Sequence, residues 1–260
     1  LEGGIGLISS RLTLSTPIIK DKLMLLAGGR SGFTDFLFPL LIPRLKNTKA
    51  NFTDATIKLL YIPDQNNQFT YTHFLSNDFY QLDLISSIEN IVSAENQYDF
   101  RTRNHTLKWL HAFKNNTSLT GKLVKSNYLP QNLFPEINSD NVIRFKSQIK
   151  YNSGQFEFKD KREDKYDYYI GVQLNRYKID PGGLDPGSGN SIIPIKLNNE
   201  IGQENSIYAN LNSRVLKSLS ISAGIRLTQF NLLGPFDESQ YNEQGVFEGI
   251  KSFNKNETVT

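Results

Sequence analysis

Cysteine is absent from the 260 residues, and Met and Trp occur once each. Without cysteine the chain has no disulfide framework, no thiolate metal site and no thiol nucleophile. No run of 18 or more apolar residues occurs, which excludes a transmembrane helix. Charge of one sign is not in excess, because 29 basic and 26 acidic residues leave a formal net charge of +3. This balance, with no basic stripe, argues against a nucleic-acid partner.

Aromatic, β-branched and small polar residues make up much of what is present. The chain has 12 Tyr and 17 Phe, and such a composition favours strands and turns over helices. It is also compatible with a membrane, because a transmembrane strand needs only about 9–11 residues with every second one apolar. Such a strand is recognised in a sequence by period-2 alternation of apolar and polar residues.

The clearest alternation of apolar and polar residues runs from Leu219 to Phe230, about the length of one tilted membrane strand. Leu219, Ile221, Ala223, Ile225 and Leu227 share one face of this predicted strand. Further strands are predicted near Ile8, Ala55, Ile143, Tyr168 and Ile207, with weaker ones at 22–30, 69–78, 98–113 and 118–127, which makes about ten strands in all.

The predicted connections alternate between short polar turns and long segments, as in an outer-membrane barrel with short periplasmic turns and long extracellular loops. The long segments have room for short helices, for example around Thr34 to Leu41 or around Leu82 to Val92. The short turns lie at 17–21, 63–67, 115–117, 159–165 and 216–218, and the long segments at 31–51, 79–97, 128–141 and 181–205.

Several segments resemble the barrel of TonB-dependent receptors, especially the kind common in Bacteroidetes. The stretch IGLISSRLTLSTPIIKDKLMLLAGGRSGFTDFL resembles an early hairpin, although Thr16 stands where the family often has Gly. NFTDATIKLLYIPDQNNQFTYTHFLSNDFY resembles a second hairpin, and Gly224 to Leu227 resembles a later strand. The residues that carry the first two likenesses are Pro17, Lys22, Gly29, Arg30, Phe33, Asp35, Asp78 and Phe79.

The resemblance implies an all-β fold of antiparallel transmembrane β-barrel strands, about ten of 22, with residues 1–260 forming part of the barrel domain. We expect the export signal and plug domain upstream and the closing strands downstream. The implied function is active uptake of a scarce nutrient such as a metal chelate, vitamin, glycan or peptide. The implied partners are this ligand, membrane lipid or lipopolysaccharide, TonB through regions outside this chain, and a surface lipoprotein.

The resemblance and the alternation together suggest where a ligand would touch the barrel. Arg30, Asp35, Asp78 and Phe79 begin long segments and are candidate rim residues. Polar positions on the predicted strands are expected to line the lumen, namely Arg11, Lys58, Arg144, Gln173 and Arg226.

No enzyme activity, cofactor or metal is expected. His105 and His111 lie about 20 Å apart along one strand, too far to chelate a single ion, and no Gly-x-Ser-x-Gly elbow occurs. The charged stretch from Lys159 to Tyr168 is interpreted as a solvated turn, and DPGGLDPGSGN, at 180–190, as an external loop. Tyr166, Tyr168 and Tyr169 are candidates for an aromatic girdle at the membrane interface.

Two alternatives remain open from the sequence. A non-transport outer-membrane barrel, such as a porin, adhesin or scaffold, predicts the same strand pattern without a plug. A soluble β-sandwich binding module predicts a chain that is soluble and monomeric without detergent.

Overall fold

Long antiparallel strands fill this computed structural model, which describes residues 1–260 except 36, 43, 44, 46, 83–85, 89, 90, 94, 115, 163–165, 190, 191, 217 and 260. The strands are β1 (Glu2–Ile5), β2 (Ser9–Ile19), β3 (Leu23–Phe33), β4 (Lys49–Tyr61), β5 (Asn67–Leu82), β6 (Ser86–Ile88), β7 (Ile91–Ser93), β8 (Asn96–Ala112), β9 (Thr117–Pro135), β10 (Val142–Arg162), β11 (Tyr166–Asp185), β12 (Ile195–Lys196), β13 (Glu200–Leu216), β14 (Leu219–Leu233), β15 (Phe236–Tyr241), β16 (Phe247–Phe253) and β17 (Thr258–Val259). One helix, α1 (Leu37–Leu41), lies between β3 and β4.

One large sheet has the order β1-β2-β3-β4-β5-β8-β9-β10-β11-β13-β14-β17, with β12 paired to β11. Beside it the described residues form only the two-stranded ribbons β6–β7 and β15–β16, which does not match the β-sandwich alternative. The predicted all-β antiparallel fold is confirmed. In the described part of the chain β1 and β17 are not paired with each other, so the sheet is open.

Connections at the two ends of the sheet differ in length, as predicted. Five hairpins, from β2–β3 to β13–β14, close with two to five residues at one end, the short-turn end. The longer connections, with α1, the β6–β7 ribbon, β12 and the β15–β16 ribbon, lie at the other, the long-connection end. Among the described residues, no helix is long and apolar enough to cross a membrane.

Several of the predicted connections are wrong in extent or type. The turn predicted at 159–168 and the loop predicted at 180–190 are both partly strand, because β10 runs to Arg162 and β11 runs from Tyr166 to Asp185. The segment 128–141 is mostly strand, because β9 runs to Pro135 and β10 begins at Val142. Pro130 made a strand unexpected here, because proline cannot donate a hydrogen bond to a neighbouring strand. In the structure the β9–β10 register skips the residues around Pro130. The helix expected around Leu82 to Val92 is replaced, where the chain is described, by the β6–β7 ribbon, whereas α1 confirms the helix expected after Thr34.

The sheet exposes apolar side chains on one face and covers polar ones on the other. On the first, the apolar face, Ile225 and Leu227 are 64% and 63% exposed. On the opposite, polar face, Asn175 and Ser206 are only 5% and 6% exposed. This reverses the burial of a water-soluble protein. We call a row of residues that lie directly opposite each other on successive strands a rung. One rung of the apolar face crosses nine strands through Leu23, Tyr61, Phe69, Trp109, Gly121, Phe156, Val172, Ile207 and Leu227.

The apolar residues form a band whose position on the strands shifts across the sheet. Its centre lies between Ile57 and Leu59 on β4 but at Ala223 on β14. Followed through the register, the rungs of Ile57 and Leu59 reach β14 at Asn231 and Gln229. The shift is about 24 Å along the strand over about 34 Å of sheet width. The band is therefore level only if the strands tilt by about 35°, as barrel strands do.

A small apolar core lies at the long-connection end. Phe134 and Ile143 pair across β9 and β10 and are almost fully buried, with Leu184 and Ile192 packed against them. This pairing puts Ile143 on the polar face and turns its neighbour Arg144 to the apolar face, beyond the end of the band. The prediction that Arg144 lines the lumen is therefore wrong.

Candidate functional site

Aromatic side chains form a row across five strands of the polar face, towards the long-connection end. Tyr80 lies opposite Tyr98, with ring centroids 6.5 Å apart. Phe100 stacks on Tyr128 at 6.5 Å, and Tyr151 and Tyr177, which are paired in the register, lie 5.1 Å apart. Such rows offer large flat surfaces to a ligand with little loss of side-chain entropy. We call Tyr80, Tyr98, Phe100, Tyr128, Tyr151 and Tyr177 the aromatic row.

Arg226 is the centre of a polar network on the same face. Its Nη2 atom lies 3.0 Å from Gln173 Oε1, 2.9 Å from Ser206 Oγ and 3.3 Å from Glu204 Oε1. The guanidinium also lies over the Tyr208 ring, 5.5 Å from its centroid. Arg226 and Gln173, both predicted to line the lumen, are joined by a hydrogen bond. Their contact with a substrate stays a prediction.

Tyr208 extends this network to β10. Its hydroxyl donates to Glu157 Oε2 at 2.9 Å and accepts from Gln155 Nε2 at 2.6 Å. The ring lies flat across Gly171, where an added Cβ would overlap it. Glycine is thus required there for close approach. The Glu157 carboxylate, the Arg226 guanidinium and the Tyr208 phenol therefore lie together on the polar face.

The network and the aromatic row form one continuous surface. Tyr151 donates its hydroxyl to Asn175 Oδ1 at 2.9 Å, and Asn175 in turn donates to Glu204 Oε1 at 3.4 Å. A ligand passing along the polar face would therefore meet stacked rings first and a charged, hydrogen-bonding surface deeper in. This pairing of apolar surface with a few fixed polar groups is typical of small-molecule sites.

The predicted rim residues lie in different environments. Arg30 is on the polar face, pairs with Asp54 at 2.7 Å and lies over the Phe52 ring. Asp78 is on the same face and exposed, and accepts a hydrogen bond from Ser76.

Two other predicted rim residues have different roles. Asp35 accepts from Ala50 N at 2.8 Å and from Asn51 Nδ2 at 3.1 Å, which closes the β3–β4 connection. Phe79 lies on the apolar face, opposite Asn51 and Asp99, and its contact with a ligand stays a prediction. The sheet order also separates Arg30 and Arg226, which lie on β3 and β14.

The remaining lumen predictions agree with the register. Arg11 and Lys58 lie on the polar face: Arg11 is opposite Arg30, and Lys58 is opposite Thr72. The described residues contain no group of three or more His, Cys, Asp or Glu that could hold a metal ion.

A histidine pair was missed in the sequence. His73 lies directly opposite His105 across β5 and β8, and their rings stack with centroids 4.2 Å apart. Tyr71 OH lies 2.9 Å from His105 Nδ1. His73 and His105 lie on different strands, and only strand pairing brings them together.

An aromatic girdle borders the apolar band at the short-turn end. Tyr166 and Tyr168 stack on the apolar face of β11 at 6.2 Å. Three strands away, on β8, Trp109 lies 6.0 Å from His111. Tyr169 was predicted to join this girdle, but it lies on the polar face against Tyr208. Side-chain parity explains the difference, since neighbouring residues of a strand face opposite ways.

The β4–β5 turn below this girdle is closed by Asp64. The side-chain amide of Asn67 and then the backbone N–H of Asn66 donate to its carboxylate. These hydrogen bonds hold the pKa of Asp64 below its ordinary value. The turn therefore prefers a charged aspartate.

The sheet resembles solved structures of the TonB-dependent receptor FpvA. One is FpvA of P. aeruginosa bound to a heterologous pyoverdine and iron, with a TM-score of 0.66 and 10% identity over 87% of this chain and 35% of that chain. Another is the FpvAI–pyocin S2 complex, with a TM-score of 0.63 and 9% identity over 87% and 35%. This chain thus has a TonB-dependent receptor-like fold and spans little more than a third of those proteins. No protein-family model and no curated protein matches it.

Proposed function

We propose that this chain is part of the wall of an outer-membrane β-barrel that takes up a scarce nutrient as a TonB-dependent receptor. The observation that carries the proposal is the reversed burial of the sheet. Ile225 and Leu227 are well exposed on one face, while Asn175 and Ser206 are covered on the other. Both the exposed apolar residues and the covered polar residues are explained if lipid surrounds the apolar face and the polar face lines a water-filled or plugged lumen.

The dimensions of the apolar band support a membrane-spanning wall. On β11 the apolar face runs from Tyr166 to Leu174 before Arg176 begins the polar part. That is about 27 Å along the strand, or about 21 Å along the membrane normal at a tilt near 40°, close to the roughly 25 Å band of outer-membrane barrels.

The candidate ligand surface is the aromatic row together with the Arg226 network. Arg30 and Asp78, on the same face nearer the first edge, would add charged contacts at the rim. Stacked rings and a guanidinium suit a metal chelate, vitamin, glycan or peptide that carries planar and anionic groups. TonB would supply energy through regions outside this chain, and a surface lipoprotein would be a further partner.

Conductance of the full-length protein tests the transporter assignment. A plugged receptor reconstituted in a planar neutral bilayer should be nearly silent, and denaturant at a concentration that releases the plug should open it. A porin-type barrel would conduct without denaturant, which would contradict the proposal. Gene sequence that encodes no plug domain upstream would also contradict it.

Uptake measurements test the ligand surface. Cells that depend on the full-length protein should lose uptake of a radiolabelled substrate when Tyr98→Ala and Tyr151→Ala are combined, and retain it in the matched Tyr61→Ala variant on the apolar face. A panel of ferric chelates, vitamins, oligosaccharides and peptides supplies the substrates. Equal uptake by the unmodified protein, the double variant and Tyr61→Ala would show that the aromatic row does not contact the ligand.

A further inference from the structure

Cations gather on the apolar face immediately beyond the apolar band, on the four neighbouring strands β8 to β11. Lys125 follows Leu123 by two residues, and Arg176 follows Leu174 by two. Lys150, Lys178 and Arg103 lie one rung further from the band. All five are exposed and lie on the side of the band nearer the long connections. We call Arg103, Lys125, Lys150, Arg176 and Lys178 the basic belt.

The belt lacks counter-charges within the part of the chain that the structure describes. Lys150 lies directly opposite Lys178, although like charges in that position repel. No described carboxylate pairs with any member. Asp99 and Asp180 lie further from the band and have their own partners, Arg101 and the Gly182 N–H. An external anion would relieve this repulsion.

An apolar groove of about 540 Å³ lies against the belt. Leu107, Leu123 and Leu174 line it, and Lys125 and Arg176 stand at its rim. Gly154 lies between Leu123 and Leu174 in the register, so the missing side chain deepens the groove at this point. Its added Cβ would meet only Leu123 Cδ2 at 3.6 Å, an ordinary contact.

We propose that the groove and the basic belt together bind a phosphorylated lipid of the outer leaflet, with an acyl chain in the groove and phosphate on the belt. The inference rests on the proposed function, which turns the apolar face to lipid. The belt extends about 14 Å across the strands and about 7 Å along them. A headgroup with two phosphates therefore matches it better than one with a single phosphate. Charge-assisted hydrogen bonds from Lys and Arg recognise phosphate oxygens.

Binding of bisphosphorylated lipid A to the full-length protein in neutral detergent tests the charged part of the site. The variant Lys125→Gln/Lys150→Gln/Lys178→Gln should bind it roughly a hundredfold more weakly, from about fivefold per cation. The matched variant Lys108→Gln/Lys122→Gln/Lys161→Gln removes three cations from the polar face and should bind within about twofold of the unmodified protein. Equal losses in the two variants would overturn the proposal.

Filling the groove tests the apolar part without changing charge. Gly154→Leu should weaken lipid A binding at least tenfold, whereas Gly249→Leu, at a glycine with open space around it, should not. Inorganic phosphate at millimolar concentration should displace little lipid A. Complete displacement by phosphate, or no effect of Gly154→Leu, would identify a free-anion site and overturn the lipid assignment.

Insertion of the same proteins into phosphatidylcholine vesicles separates the two proposals. If all the proteins insert and the belt variant binds lipid A as well as the unmodified protein does, this inference fails and the barrel proposal stands. If the unmodified protein does not insert into neutral vesicles, both fail. Insertion by all variants, with lipid A binding lost only in the belt and groove variants, supports both.

Discussion

Val172→Arg on β11 should strongly destabilise the full-length protein in a bilayer. Val172 lies on the apolar face between Ile170 and Leu174 and is flanked across the sheet by Phe156 and Ile207. It stands four residues from Arg176 and four from Tyr168, about 14 Å along the strand in each direction and about 10 Å along the membrane normal. That is near the bilayer midplane, where a lipid-facing Arg on a barrel costs about 2–4 kcal/mol.

The denaturant midpoint of the full-length protein in phosphatidylcholine vesicles measures this cost. The control is Thr120→Arg, because Thr120 lies at a similar depth on the polar face and opposite the Glu157 carboxylate. We expect a change within about 0.5 kcal/mol for the control, typical of substitutions that create no buried charge. Equal shifts in the two variants would refute the assignment of the apolar face to lipid.

Three further predictions concern the polar face and the turns. Gly171→Ala should cost about 1–3 kcal/mol, because the new Cβ overlaps the Tyr208 ring, as measured by the denaturant midpoint. Arg226→Met should cost about 1–2 kcal/mol in the same assay, since it removes hydrogen bonds from the network. Asp64→Asn should lower stability near neutral pH, and this difference should shrink as the pH falls below about 4. The folded-state pKa of Asp64 is depressed, so its contribution is present above about pH 4 and is lost as the pH falls through the folded-state value.

The first two of these predictions have matched control variants, and the third has a pH dependence that tests it. Gly154→Ala adds the same methyl group at a position where it would make only an ordinary van der Waals contact, so its effect on stability should be close to zero. Arg226→Lys keeps the charge without the planar guanidinium, and should recover part of the loss. A stability difference between Asp64→Asn and the unmodified protein that stays constant from pH 7 to pH 3 would refute the role given to Asp64.

The alternation of residues was enough to predict most strands, because a sheet with one apolar and one polar face imposes period 2 on each strand. Leu219 to Leu227 shows this in its simplest form, and the hairpins closed by short turns follow from polar residues between such runs. The predicted residue boundaries failed where prolines interrupt a strand, as at Pro130. They also failed in the long connections, where no period exists to follow.

Strand pairing decided which residues meet. His73 and His105, or Tyr151 and Tyr177, are distant in sequence and become neighbours only through the register. A bulge allows β11 to continue through Pro181 and Gly182, where Gly182 has φ +128°, a conformation that favours glycine. Alternation alone predicted that Ile143 and Arg144 would face opposite ways, but pairing with Phe134 decided which of them faces the lumen side.

The sequence by itself determined the class of fold. Alternation, turn residues and the absence of a long apolar run are local properties, which can be recognised in one segment without knowing which strands pair with it. Only the tertiary structure assembled the aromatic row, the Arg226 network and the basic belt. Each combines residues from four or five strands, and a register shift of one residue would turn a strand's contribution to the other face.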